Sequence, residues 1–304
     1  MIHVIVNAKA KAGRKQTAEE VIERVLGAHG ETYRLYHAKK TGDTRKLCRE
    51  LSEAEGEKTI WVVGGDGTVN EAINGLVPDD SLHFVYLPAG SGNDLARGLG
   101  LPLKLEAAAE KVLASQREKN YDYGEMELYP GGRNRFAGSS GFGYDAKVCE
   151  EVNHSGLKAF LNKFGLGKFA YFLVAIRQVF ANPRFRLTLV ADGVSHIYSD
   201  CIFICMMNHR YQGGGLKMAP DADPTDGKIS VALAHNMSPW KVLFSLPRLK
   251  SGSYVKMRNV VTFDCKELEL ISDKKQFVHN DGEVVGEVRH LKVRCGGRKL
   301  HMPE

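Results

Sequence analysis

This 304-residue sequence predicts a parallel α/β domain followed by an antiparallel β domain. Three observations carry that expectation. Strand-like and helix-like patterns alternate through residues 1–120, two glycine-framed loops each follow an apolar strand-like run, and short alternating runs with turn signals fill residues 121–304. The length suits two domains, each able to bury a core, and a return of the last residues to the first domain is left open.

The elements follow in order. Ile2 to Val6 reads as a first strand, with Lys9, Lys11, Arg14 and Lys15 behind it in place of a cleavable leader's apolar core. Thr17 to Ala28 reads as a helix: Thr17 and Glu20 form a capping box, and Val21, Ile22, Val25 and Leu26 make an apolar stripe. Tyr33 to Tyr36 is a second strand. Asp43 to Ala54 is a helix with Leu47, Cys48 and Leu51 on one face, Thr59 to Val63 is a strand, and Val69 to Leu76 is the helix after it. His83 to Leu87 is the next strand. Such a βαβα series builds a parallel sheet that collects ligands beyond the carboxyl ends of its strands.

Beyond Tyr121 the runs shorten. Leu187 to Ala191, Asp192-Gly193 and Val194 to Tyr198 read as a hairpin, and strands are expected at Cys201 to Met207, Lys228 to Ala234, Val260 to Phe263, Glu267 to Ile271, Gln276 to His279 and Val288 to Arg294. One helical island, Leu157 to Phe180, interrupts them.

Composition narrows the class. Hydrophobic content of 43% and charged content of 26% are those of an ordinary globular protein. The longest apolar stretch, Phe169 to Ile176, stops at Arg177 and falls short of the ~20 residues that span a bilayer. The six cysteines form no Cys-x-x-Cys pair and read as reduced thiols of a cytosolic protein. A net charge of +6, read as spread along the chain, suits phosphate-bearing ligands or an anionic lipid surface, and nucleic acid is not expected as a partner.

The chemistry concentrates in two loops. In Gly64-Gly65-Asp66-Gly67-Thr68-Val69-Asn70-Glu71 the glycines let backbone N–H groups approach an anion, Asp66 can hold water or a metal ion, and the following helix turns its positive end to the bound charge. Pro88-Ala89-Gly90-Ser91-Gly92-Asn93-Asp94 repeats the plan. Read alone, Asp66 also suits a helix cap, and Asp281-Gly282-Glu283 suits a hairpin turn with an exposed carboxylate.

Four ordered motifs, these two loops with Pro220-x-Ala222-x-x-x-Asp226-Gly227 and Asp281-Gly282-Glu283, resemble the diacylglycerol kinase family of lipid kinases, its bacterial soluble branch, related to sphingosine and NAD kinases. The resemblance spans essentially the whole chain. It implies a Rossmann-like, NAD kinase-like nucleotide-binding domain and a β-sandwich-like lipid-acceptor domain. It implies an ATP-dependent kinase that phosphorylates a lipid hydroxyl, diacylglycerol foremost, working peripherally at a membrane from the cytoplasm. Backbone N–H groups of Gly64, Gly65, Gly67 and Gly90, the Thr68 and Ser91 hydroxyls, the Asn70 and Asn93 amides and Asn7 are expected to hold ATP. Asp66 is expected to orient Mg2+ through water, and Glu283 to act as general base, with Asp281 in support of metal or base. A second, structural Mg2+ is implied on the Asp226 carboxylate and the carbonyls of Asp223 and Lys228.

The family's first phosphate loop carries a proline and glycine that Asn7-Ala8-Lys9-Ala10-Lys11-Ala12-Gly13 lacks or displaces, and Ala38 stands where a threonine is frequent, with Thr41 nearby. Two surfaces are candidates for the acceptor: the Phe160, Leu161, Phe164, Phe169, Phe172 and Val174 group, which otherwise reads as core, and the His209-Arg210-Tyr211 loop. Another lipid acceptor (a sphingoid base or a phospholipid head group), an NAD kinase and a catalytically silent sensor are the competing readings, and a homodimer is left open.

Overall fold

The computed structural model describes residues 1–8, 10, 16–154, 167–181 and 184–303. The first unit runs β1 (Ile2–Asn7), α1 (Ala18–Ala28), β2 (Tyr33–Ala38), α2 (Asp43–Ser52), β3 (Lys58–Gly64), α3 (Asp66–Gly75), β4 (Leu82–Pro88), α4 (Asp94–Gly98), α5 (Leu105–Ala114) and β5 (Glu118–Tyr121). Parallel strands covered on both faces have no polar side to show, which is why β3 and β4 are buried almost end to end. The Thr17–Glu20 capping box closes the start of α1: Glu20 N–H donates to Thr17 Oγ1 at 3.2 Å and Thr17 N–H to Glu20 Oε2 at 3.0 Å. Val21, Ile22, Val25 and Leu26 are buried beneath it.

The second unit comprises β6 (Gly124–Tyr129), β7 (Arg133–Phe136), β8 (Ser139–Gly143), α6 (Tyr144–His154), α7 (Gly167–Ala181), β9 (Phe185–Ala191), β10 (Val194–Met207), β11 (Tyr211–Gln212), β12 (Leu216–Lys217), β13 (Ile229–His235), α8 (Pro239–Ser251), β14 (Val260–Cys265), β15 (Glu267–Asn280) and β16 (Glu283–Cys295). Finally β17 (Leu300–Pro303) joins the first sheet between β4 and β5, giving the order β2-β1-β3-β4-β17-β5. The other large sheet is nine-stranded, and all its pairings are antiparallel. Its long strands β10 and β15 are bridged by β8 along one half and β9 along the other. Phe142, Phe185, Leu189, Leu270 and Leu291 fill its interior. Tyr144, Val148, Val174, Met218 and Tyr254 form a separate cluster where helices cover part of the sheet.

Several expectations change. Helix α3 begins at Asp66, three residues before the apolar periodicity, because its first turn is the glycine loop itself. The stretches 267–271 and 276–279 are one strand, β15, whose register shifts where Asp273, Lys274 and Lys275 mimic a loop. Two further helices stand in the second unit. Helix α6 hides because its pattern is only weakly amphipathic; α8 carries legible signals, Ser238 capping, Pro239 in the first turn and Gly252 in the left-handed region after it, masked by the internal Pro247. Among the described residues no helix is long and apolar enough to cross a membrane. All six cysteines are free thiols.

Candidate active site

The two glycine loops meet at the carboxyl ends of β3 and β4. Gly65 and Gly90 are in backbone contact: a Cβ on Gly90 would collide with Gly65 Cα. Asp66 fastens one loop to the other, since Oδ2 accepts from Asn93 N–H at 2.9 Å and Oδ1 from Asp94 N–H at 2.8 Å. Burial, then the neighbouring Asp94 carboxylate, push its pKa up to about 6, against the pull of those two N–H groups. Asp66 and Gly67 occupy the first positions of α3, where N–H groups have no carbonyl four residues back to receive them. Ser91 lies exposed at the tip of the second loop.

Side chains beneath the loops hold their shape. Thr68 is buried, and its Oγ1 accepts from Asn7 Nδ2 at 2.9 Å, tying the end of β1 to the first loop while its own hydroxyl proton remains to donate. Asn93 sits in the left-handed region; its Nδ2 donates to Gly90 O at 2.9 Å and its Oδ1 accepts from Gly90 N–H at 3.0 Å. Tyr86, which sequence reasoning did not single out, lies under both loops with its hydroxyl 3.3 Å from Gly64 O and 3.2 Å from Asn93 Oδ1. Its only signal was a phenol inside an apolar strand run.

The amide of Asn70 reaches away from the loops to the second unit, 3.3 Å from Asn280 O and 3.2 Å from Asp281 Oδ2. The Asn70 amide, expected on phosphate, is therefore spent inside the protein, and the Asn93 amide gives one N–H to Gly90 O. Asp281 collects Ala137 N–H at 3.0 Å, Gly138 N–H at 2.8 Å and Ser139 N–H at 2.9 Å besides Asn70. Burial raises its pKa although those donors pull the other way. With four donors on one carboxylate, Asp281 is an anchor. The turn it anchors has φ of 51° at Asp281 and 88° at Gly282, the left-handed pair of a tight two-residue hairpin between β15 and β16.

That turn delivers Glu283, the first residue of β16. Its Oε1 lies 3.1 Å from where a Cβ on Gly67 would stand, so a carboxylate from the second unit faces the first turn of α3. Behind it His279 Nδ1 accepts from Gly282 N–H at 3.2 Å, and its Nε2 lies 3.1 Å from Asp145 Oδ2 and 3.1 Å from Gln212 Nε2. The His279–Asp145 pair was not legible in sequence, because its members are far apart along the chain.

Other expectations fare differently. Asp226 Oδ1 accepts from Lys228 N–H at 2.9 Å, and Asp223 Oδ1 from Thr225 N–H at 2.9 Å and its hydroxyl at 2.6 Å. Beside them the Lys299 ammonium pairs with buried Asp122, whose Oδ2 takes Gly227 N–H at 2.8 Å. The Asp226 carboxylate and the carbonyls of Asp223 and Lys228 are the oxygens expected to hold a structural Mg2+, and Lys299 Nζ lies 3.7 Å from where a Cβ on Gly227 would stand beside them. Among the described residues no three His, Cys, Asp or Glu side chains form a metal cluster. One carboxylate with unused lone pairs does fit an ion that keeps most of its waters, and Asp66 is that carboxylate. His209 is fully packed against Gly98 and Gly138, its pKa pushed down to about 4 by burial, rather than lining an open pocket. Val174 is buried, whereas Phe160, Leu161, Phe164 and the side chains of Phe169 and Phe172 lie outside the described residues. A cavity of about 690 Å³ between α3 and the β6–β7 hairpin touches neither glycine loop and is lined by acids and bases in near balance.

Fold and site together define a two-unit kinase of the lipid-kinase class. The diacylglycerol kinase catalytic domain family matches residues 1–126, and the YegS C-terminal NAD kinase beta sandwich-like domain family matches residues 138–300. The chain belongs to this diacylglycerol kinase and YegS-like family of lipid kinases. It is 28% identical over 254 residues to the diacylglycerol kinase of Mycobacterium tuberculosis, covering 81% of this chain and 80% of that one. A solved diacylglycerol kinase structure from Bacillus anthracis superposes with a TM-score of 0.71 at 20% identity, over 99% of this chain and 96% of its own. An NAD kinase from Archaeoglobus fulgidus in complex with ATP shares the fold at a TM-score of 0.54 and 13% identity, over 100% and 94% of the two chains.

Proposed function

We propose that this chain transfers the γ-phosphoryl group of ATP to the hydroxyl of diacylglycerol, making phosphatidic acid, while it rests on a membrane surface. Residues 1–120 would hold the nucleotide and the remainder the acceptor. The reading rests on one observation above all: Glu283 of the second unit stands over Gly67 in the anion-binding turn of the first. The N–H groups at the start of α3 and the tip of the Gly90–Asn93 loop receive the phosphates. Magnesium, when bound, neutralises charge on the phosphate oxygens, and ionised Asp66 is the residue that would hold it through water. Glu283 takes the proton from the acceptor hydroxyl as its oxygen bonds to the γ-phosphorus; the bond to the bridging oxygen breaks and ADP leaves.

The test is incubation with labelled ATP, Mg2+ and mixed micelles that each carry diacylglycerol, a sphingoid base or a phospholipid, with NAD in a parallel tube. Label in phosphatidic acid is expected. Glu283→Gln should lower turnover by about 100-fold or more with ATP affinity little changed. Label only in NADP, or undiminished turnover in Glu283→Gln, would overturn the assignment.

A further inference from the structure

Helices α7 and α8 each present an apolar stripe to solvent. Leu173 is 52% exposed and Phe180 51% on α7, and Trp240 is 61% and Phe244 76% exposed on α8. The four side chains join into one patch, because Phe180 and Trp240 stack edge to face with centroids 5.4 Å apart. Isolated exposed apolar residues are ordinary, but adjoining aromatic ones on two packed helices form a surface that water leaves uncovered at a cost. Their helical spacing explains the geometry: Leu173, Arg177 and Phe180 share one face of α7, Trp240, Phe244 and Arg248 one face of α8, and Val174, Val179 and Val242 turn inward.

Charge selects the occupant. From Pro239 to Arg258 the sequence contains no acid but carries Lys241, Arg248, Lys250, Lys256 and Arg258; between Glu151 and Asp192 it again has none, against Lys158, Lys163, Lys168, Arg177, Arg184 and Arg186. The whole chain has a net charge of only +6, so the remainder is net acidic. The positive excess is therefore concentrated in these two segments rather than spread, and Arg248, Lys250, Lys256 and Arg258 are exposed. Exposed aromatic side chains with Arg248 one turn beyond Phe244, and with Arg184 beside Phe180 against a single acid there, Asp200, match the headgroup layer of an anionic bilayer.

The patch is also tied to the site. Helix α6, which begins next to the His279–Asp145 pair, receives α7 through the Tyr144 hydroxyl bond to Ala175 O at 2.7 Å. Helix α8 leads through its Gly252 cap to Lys217 and Pro220, and the adjoining turn gives Gly214 N–H to Asp94 Oδ2 at 2.7 Å.

We propose that the Leu173, Phe180, Trp240 and Phe244 patch, with Arg248 and Lys250 beside it, is the surface that seats this kinase on an anionic phospholipid leaflet. The proposal rests on the lipid-kinase reading above and adds the docking face. The full chain carries its own reporter: of its two tryptophans, Trp61 is buried at 2% exposure and Trp240 is not. Titration with phosphatidylcholine vesicles containing phosphatidylglycerol should shift emission to the blue, and brominated acyl chains should quench it. Trp240→Phe should abolish the shift while co-sedimentation persists. Phe244→Asp should weaken partitioning at least tenfold, and Arg248→Glu and Lys250→Glu about fivefold each, less so in high salt. Phosphorylation of a monomeric short-chain diacylglycerol should be unchanged in all these variants. Binding undiminished in Phe244→Asp, no emission shift with vesicles, or a dimer that hides Trp240 without lipid would overturn the docking face. Failure of the wild type to phosphorylate the monomeric substrate would instead count against the lipid-kinase reading, since vesicle binding is read independently of turnover.

Discussion

Replacing Asp281 with asparagine separates anchoring from proton transfer. The carboxylate accepts four bonds, Gly138 and Ser139 N–H on Oδ1 and Ala137 N–H and the Asn70 amide on Oδ2. An asparagine offers one oxygen, so its NH2 group must face two donors. The less costly orientation keeps the oxygen on Gly138 and Ser139, since the Asn70 amide retains Asn280 O at 3.3 Å, and orphans Ala137 N–H. An unmet buried donor costs ~1–3 kcal/mol and donor facing donor adds to it, while removal of a buried charge returns part of the loss. A net destabilisation of about 2 kcal/mol follows, or ~4–8 °C in Tm for a domain of this size. The larger effect is on chemistry. Glu283 lies two residues beyond the anchor, and a displacement of ~1 Å at the reacting groups costs ~100-fold in rate. Thermal unfolding followed by circular dichroism, beside turnover and KM for ATP, should show a modest fall in Tm, a large fall in kcat and little change in KM. A Tm unchanged within about 1 °C together with turnover within about threefold of wild type would refute the anchoring argument.

Gly90→Ala should abolish ATP binding measured by calorimetry, because the added methyl collides with Gly65 Cα and the loops must part; retained affinity would show that they are not one cradle. Asp66, at about 6, has a folded pKa above its ordinary value, so its contribution to stability is full below about pH 4 and is lost as pH rises through about 6. The loss is on the order of 3 kcal/mol and should appear in urea midpoints of the metal-free protein, with Mg2+ and nucleotide reversing it. Mg2+-dependent ATP affinity should correspondingly drop about tenfold per pH unit below about 6, as protons compete for the carboxylate. Lys299→Met should cost ~3–5 kcal/mol in urea denaturation by leaving the Asp122 charge buried without its partner, and a midpoint like that of wild type would remove the ion pair as a brace.

Much of the first unit was legible, since its signals are local. A capping box, an apolar helical stripe and near-continuous strand runs are each set by residues a turn apart, and Thr17, Val21 and the run through Trp61 and Val63 took their places accordingly. The second unit was less so. Weak amphipathicity hid Tyr144–His154, and a charged tripeptide divided a single long strand into two.

Sequence by itself determined which groups were available: three glycines and an aspartate at a helix start, a second loop of the same kind, and a carboxylate behind an Asp-Gly turn. Only tertiary structure decided what each one touches. Asn70 and Asn93 have the chemistry of phosphate donors, but carbonyls and a carboxylate within their reach claim the Asn70 amide and one N–H of Asn93. Lys299 and Asp122 are 177 positions apart and still set the charge beside the Asp226 turn. Glu283 faces Gly67 because Asp281 is pinned by amides of a strand far away in the chain. Hydrogen bonds and burial are short-ranged in space and indifferent to separation along the chain, so the donors and acceptors that finally pair are chosen when the two units pack.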